Sequence, residues 1–165
     1  MERLNTIKSK IYTWDHIRRQ IAIWRFKSKT IVFSNGCFDV LHLGHVEYLA
    51  KARDLGDILI VGLNSDDSVH RIKGAHRPVN NEEARAITLA SLSFVDAVVL
   101  FGEDTPQELI KLIQPDILVK GKDYEGKEIV GSDVVKARGG EVVTIELTKG
   151  YSTTHTIELA QKVHL

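Results

Sequence analysis

Hydrophobic residues along this chain fall into short unbroken runs, such as Ile31-Val32-Phe33 and Ile58-Leu59-Ile60-Val61, separated by longer stretches in which apolar positions recur every three or four residues. Unbroken apolar runs are characteristic of strands covered on both faces, and the intervening period is that of helices lying on a sheet. Strands are predicted at residues 30–35, 57–63, 95–101, 116–120 and 141–147, and helices near 44–55, 82–93, 105–113, 131–138 and 153–163. Ahead of them, Trp14, Ile17, Ile21 and Trp24 form a helical stripe over 14–27, with Arg18, Arg19, Arg25 and Lys27 on the other faces. Regular alternation of strand and helix calls for parallel strands joined by right-handed crossovers. The expected fold is α/β: a Rossmann-like three-layer sandwich with a five-stranded parallel sheet and helices on both faces. It forms a single domain over 1–165, with 1–28 as an N-terminal helical segment packed on it.

Composition narrows the range of partners. With 165 residues and 43% hydrophobic content, the chain can bury one substantial core. Lys+Arg and Asp+Glu are equal at 22 each, so no bulk positive field draws the protein to nucleic acid or an anionic membrane, and neither is expected as a partner. Anion binding must then come from local arrangements of residues. A single cysteine, Cys37, rules out an internal disulfide framework and suits a reducing cytoplasm, the expected location. No stretch reaches the roughly 18 apolar residues of a membrane span, and Met1 to Lys10 lacks the apolar core of a secretion signal.

The chemistry concentrates after the predicted strands, in loops that a parallel sheet gathers along one edge. His42-Leu43-Gly44-His45 sits at a strand-to-helix turn, where backbone N–H groups and the helix dipole attract phosphate. At spacing i, i+3 the two imidazoles can face one anion, and Gly44 lets it approach the backbone. Taken alone, the motif is equally compatible with histidines that merely cap a helix. Asn35-Gly36-Cys37-Phe38-Asp39 precedes it at the carboxyl end of the strand, where open α/β sheets bind ligands. Asn64-Ser65-Asp66-Asp67, Arg71-Ile72-Lys73-Gly74 and Arg77-Pro78-Val79-Asn80 follow the second strand, and in isolation read as a solvated loop. Lys120-Gly121-Lys122-Asp123 follows the fourth strand, and Ser152-Thr153-Thr154 opens the last helix, where the hydroxyls could cap the helix or bind phosphate. Cys37 reads as a small packing residue.

Together with Glu103-Asp104-Thr105-Pro106 and Gly150-Tyr151-Ser152-Thr153-Thr154, these segments resemble the HxGH-class nucleotidylyltransferases, specifically the cytidylyltransferase-like group and within it the branch that adenylylates D-glycero-D-manno-heptose 1-phosphate. The resemblance implies transfer of AMP from ATP to the sugar 1-phosphate, yielding ADP-heptose for lipopolysaccharide and pyrophosphate. It assigns catalysis to His42, His45 and Lys73, and nucleotide binding to Asn35, Gly36, Cys37, Phe38, Gly44, Lys120, Gly121, Asp123, Ser152, Thr153 and Thr154. Acceptor binding falls to Asp39, Asn64, Lys73 and Arg85, although Arg85 reads equally well as a surface ion-pair partner. No protein-held metal is implied: Mg²⁺ arrives on the nucleotide phosphates. A separate sugar kinase would supply the acceptor, and a homodimer is expected. Two departures stand out: Cys37 occupies a position where cytidylyltransferases commonly have threonine, and His155-Thr156-Ile157 follows the Ser-Thr pair without the basic residue often found there. Two alternatives stay open, a cytidylyltransferase for glycerol 3-phosphate or a similar ester and a nucleotide-binding regulator without turnover.

Overall fold

The computed structural model describes residues 2–124 and 126–162, apart from the side chains of His155 and Gln161. Its centre is one sheet of six parallel strands. In chain order these are β1 (Ile11–Tyr12), β2 (Ile31–Gly36), β3 (Ile58–Asn64), β4 (Ala97–Phe101), β5 (Ile117–Gly121) and β6 (Glu141–Ile145), arranged β1-β4-β3-β2-β5-β6. Five strands lie within a few residues of their predicted positions. The sixth, β1, corrects the expected count: it pairs Ile11 with Val98 and Tyr12 with Val99 at the edge, and two residues are too few to show a period.

Eight helices accompany the sheet among the described residues: α1 (Glu2–Lys8), α2 (Trp14–Phe26), α3 (Leu43–Arg53), α4 (Asp66–Lys73), α5 (Glu82–Ala90), α6 (Gln107–Ile113), α7 (Ser132–Ala137) and α8 (Thr153–Lys162). Position 163, where the last predicted helix ends, lies outside the described residues. Successive strand residues divide between two cores, as the pleat requires. Val32, Leu59, Val61 and Val98 pack with Leu49 and Ala52 of α3 and Ala86 and Leu89 of α5. Ile31, Phe33, Ile60 and Val99 pack on the opposite face with Ile17 and Ile21 of α2, Leu109, Ile110 and Ile113 of α6, and Val135 of α7. The result is the expected three-layer sandwich.

The winding direction reverses at one place. From β2 the chain moves outward through β3 to β4 using helices on one face. It then crosses back by α6 to lay β5 against the other side of β2 and continues to β6. Adjacent parallel strands whose connections leave in opposite directions open a crevice at their carboxyl ends, and ligands bind there. β2 and β5 are these two strands.

Candidate active site

Gly36 ends β2 and Gly121 ends β5, and a cleft of about 660 Å³ opens beyond them, within the range of small-molecule sites. Asn35 and Lys120 bridge the crevice at its floor: Lys120 Nζ donates to Asn35 Oδ1 at 2.5 Å. Burial brings the Lys120 ammonium down to about 8, against the opposing pull of Asp123, and its Nζ lies 5.3 Å from the centre of the Tyr124 ring. Beneath the floor, the buried hydroxyl of Tyr48 on α3 joins Ser34 of β2 at 2.8 Å and donates to the Val119 carbonyl of β5 at 3.1 Å. One helix thereby locks both strands at the crevice.

The loop from β2 to α3 turns sharply. Phe38 takes a left-handed φ of 41°, and its ring lies so close to Gly36 that a Cβ there would sit 3.0 Å away. The turn delivers His42 to the N-cap position of α3, but the imidazole makes no capping hydrogen bond. Instead it stacks on His45, ring centres 3.7 Å apart and planes 22° from parallel. Both Nδ1 atoms are buried without a hydrogen-bond partner among the described residues. A polar atom held in that state costs free energy, and such atoms in native proteins call for an explanation. Burial lowers both imidazole pKa values, that of His45 to about 4 with a further push from His42 and against a hydrogen-bonding pull from the nearby Val40 backbone, which does not complete a hydrogen bond with the ring. At neutral pH the pair is uncharged.

The start of α8 faces the same space. A Cβ on Gly44 would lie 3.1 Å from His42 Nδ1 and 3.4 Å from the Tyr151 Cβ, so glycine is what allows this approach. Thr153 Oγ1 donates to the Val40 carbonyl at 3.4 Å, and Thr148 hydrogen-bonds Glu47, fastening the α8 entrance beside α3. Two helix N-termini therefore open on one cleft, each an anion-attracting end.

Of the residues singled out in the sequence, every one except Arg85 lines this cleft. Lys73 stands at the last turn of α4, a helix where the sequence pattern suggested only loop. Asn64, almost fully buried, donates through Nδ2 to Ser68 Oγ at 3.0 Å. Asp39 is also buried: its carboxylate accepts from Arg77 Nε, from Val79 N at 2.7 Å and from Asn80 N at 3.1 Å. Arg85 lies beneath, 2% exposed, its guanidinium spread over the carbonyls of Cys37, Asn64 and Asn80 and the Asp66 carboxylate at 2.7 to 3.0 Å. Four of the five N–H donors of that guanidinium are taken by protein. Burial raises the Cys37 thiol pKa, with Lys73, Arg85 and Arg77 acting in the opposite sense, so the thiol is not poised as a nucleophile. The sequence reading gave no role to Arg77, Tyr124 or Tyr151, which also line the cleft. The available signal was position alone, each being next to or within a motif.

A parallel sheet with a reversal crevice, an uncapped His-x-Gly-His turn and a second helix N-terminus across the opening define a nucleotide-binding α/β domain of the nucleotidylyltransferase class. The chain belongs to the cytidylyltransferase-like family, whose profile matches residues 33–159. It is 54% identical to the bifunctional protein HldE of Wolinella succinogenes over 93% of its own length and 32% of that protein, and 62% identical to HldE of Campylobacter curvus over 79% and 27%. It thus spans about a third or less of these relatives. A lipopolysaccharide core biosynthesis protein from Thermoplasma volcanium, known from its crystal structure, superposes with a TM-score of 0.60 at 31% identity, covering 75% of this chain and 99% of that one. Among the described residues, no helix is long and apolar enough to cross a membrane.

Proposed function

We propose that this chain transfers AMP from MgATP to D-glycero-D-manno-heptose 1-phosphate, giving ADP-heptose and pyrophosphate. The observation that carries the reading is the pair of buried, unpartnered Nδ1 atoms on the stacked His42 and His45, held between two helix N-termini in a cleft large enough for a nucleotide. Identity of 54 to 62% to HldE proteins, and the likeness to a lipopolysaccharide core biosynthesis protein, support the heptose acceptor and ATP over the cytidylyl alternative.

In this reaction an oxygen of the acceptor phosphate attacks the α-phosphorus in line. The new P–O bond forms as the bond to the bridging oxygen breaks, and pyrophosphate leaves with that electron pair. No covalent enzyme intermediate is required, so catalysis consists of positioning and charge stabilisation. His42 and His45 supply N–H donors to oxygens that gain charge in the transition state. Neutral imidazoles suit this role, because they donate without fixing a cation that would hold the ground state equally well. Ser152, Thr153 and Thr154 with the α8 N-terminus take the departing phosphates, Asn35, Gly36, Cys37, Phe38, Lys120, Gly121 and Asp123 take the nucleoside side, and Lys73 draws the acceptor phosphate toward the α-phosphate. Mg²⁺ enters as part of the substrate, carried by the triphosphate. A sugar kinase activity must supply the acceptor, and the reaction belongs in the cytoplasm, where ATP is found.

The test is a screen of the purified protein with ATP or CTP against D-glycero-D-manno-heptose 1-phosphate and glycerol 3-phosphate, following pyrophosphate release and the nucleotide sugar. ADP-heptose is the expected product. CDP-glycerol as the main product would establish the cytidylyl alternative, and no release with any pair would leave a regulator.

A further inference from the structure

The segment between α4 and α5 carries a guanidinium that the roles above leave unused. Arg77 lines the cleft a few residues beyond Lys73, its side chain largely buried at 19% exposure. Its Nε is engaged by Asp39, whose own side chain is 1% exposed, and the remaining guanidinium N–H groups have no partner among the described residues. Asp39 does more than neutralise it. Val79 N and Asn80 N converge on its other carboxylate oxygen, and Asn80 Nδ2 donates to its backbone carbonyl at 2.9 Å, so the turn that bears Arg77 is pinned to the loop after β2. A guanidinium fixed through Nε presents its two terminal nitrogens as a planar fork, the arrangement that matches two oxygens of a phosphate monoester.

The charges nearby point the same way. Arg85 is paired with Asp66 and Arg77 with Asp39, whereas Lys73 has no carboxylate partner among the described residues. Cys37, Lys73 and Arg77 all line the cleft, and both cations act on the Cys37 thiol at one point of its wall. That point is therefore left with a surplus of positive charge. It lies on the β3 and β4 side of the crevice, while Lys120, Asp123 and the α8 entrance lie on the β5 and β6 side.

We propose that Arg77, oriented through Nε by Asp39, binds the acceptor's phosphate monoester as a bidentate fork and, with Lys73, forms the acceptor-phosphate site. The inference rests on the transferase reading above and deepens it. Arg77 touches the substrate, and Asp39 acts through Arg77 as a positioning residue.

Steady-state kinetics with ATP and D-glycero-β-D-manno-heptose 1-phosphate make the first test. Arg77→Gln should raise the acceptor KM by about 10- to 100-fold while leaving the ATP KM within about twofold, as expected for loss of charge-assisted hydrogen bonds on one substrate. Arg77→Lys should recover only part, because it restores the charge without the fork. An unchanged acceptor KM in Arg77→Gln, or an equal rise in both KM values, overturns the proposal. A second measurement guards against a loosened turn. With α,β-methylene-ATP filling the nucleotide site, millimolar inorganic phosphate should raise the Tm of the unsubstituted protein and of the surface control Lys111→Gln. Arg77→Gln should keep the analogue's protection and lose that of phosphate. Persistent phosphate protection in Arg77→Gln, or none in the unsubstituted protein, also overturns it. Should no sugar phosphate be turned over, the heptose reading fails while phosphate protection still decides the role of Arg77.

Discussion

His42 and His45 lie face to face with ring centres 3.7 Å apart, and each keeps a buried Nδ1 that no described group satisfies. The arrangement is costly in the free protein, and in the proposed reaction the arriving phosphate oxygens would relieve that cost, most of all as they gain charge. Removing one donor aimed at developing charge typically lowers kcat by ~10² to 10³-fold. His45→Gln, which preserves bulk beside Phe38, should fall in that range while ATP binding by calorimetry changes only a few-fold. A defect confined to KM would mean that the imidazole binds substrate and transition state equally.

Because the His45 pKa is lowered from 6.5 to about 4, the sign of its effect on stability is fixed. Between those values the unfolded chain binds a proton that the folded one refuses, so stability is fully present above about 6.5 and drains away as pH falls toward 4. At about 1.4 kcal/mol per pKa unit, the loss is at most about 3.5 kcal/mol. Urea unfolding of the free protein from pH 7.5 to 4.5 should show this decline, and His45→Gln should flatten it. Saturating ATP should also shallow the slope, since neighbouring phosphate raises the imidazole pKa.

Gly44 separates helix stability from site geometry. Alanine improves helix propensity by up to about 1 kcal/mol, yet the new Cβ would sit 3.1 Å from His42 Nδ1 and 3.2 Å from Cε1. The His42 ring must then give by a few tenths of an ångström. Gly44→Ala is expected to melt at or above the temperature of the unsubstituted protein while losing at least about tenfold in kcat, consistent with the cost of misplacing a catalytic group. Full activity with an unchanged Tm would show that the close packing of His42 on Gly44 is dispensable.

What could be read from the chain follows how far each feature depends on neighbours in sequence. The five long strands announced themselves as apolar runs, and the His-x-Gly-His turn announced the crevice, because local pattern determines both. The β1 strand escaped because two residues carry no period, and its place at the edge comes from pairing with Val98 and Val99, far along the chain. The α4 helix escaped although its signals were present: Ser65 caps the N-terminus by accepting from Ser68 N, Asp66 and Asp67 fill the first turn, Arg71 and Lys73 the last, and Gly74 follows at a φ of 96°. The polarity of its surface drew attention from its ends. The partnerships of Asp39 with Arg77 and of Arg85 with three carbonyls span up to 48 residues, and no local pattern shows which charges a fold will spend on itself.

Arg85 is where that distinction matters most. Its motif position suggested an acceptor ligand, but four of its five N–H donors are held by the Cys37, Asn64 and Asn80 carbonyls and by Asp66, which ties together the loop after β2, the end of β3 and the start of α5. Truncating one partner of a buried charged network costs about 3 to 5 kcal/mol, because the others lose their hydrogen bonds without regaining water. Arg85→Gln should therefore lower the urea midpoint strongly, and Arg85→Lys should recover little, since a single ammonium cannot reach four acceptors across the fork. Below the unfolding range, the acceptor KM of Arg85→Gln should rise less than that of Lys73→Ala, whose ammonium stands exposed in the cleft and makes no structural bond among the described residues. A near-native urea midpoint combined with a steep rise in acceptor KM would return Arg85 to the substrate. That result would require its guanidinium to leave the carbonyls of Cys37 and Asn64 whenever the acceptor binds.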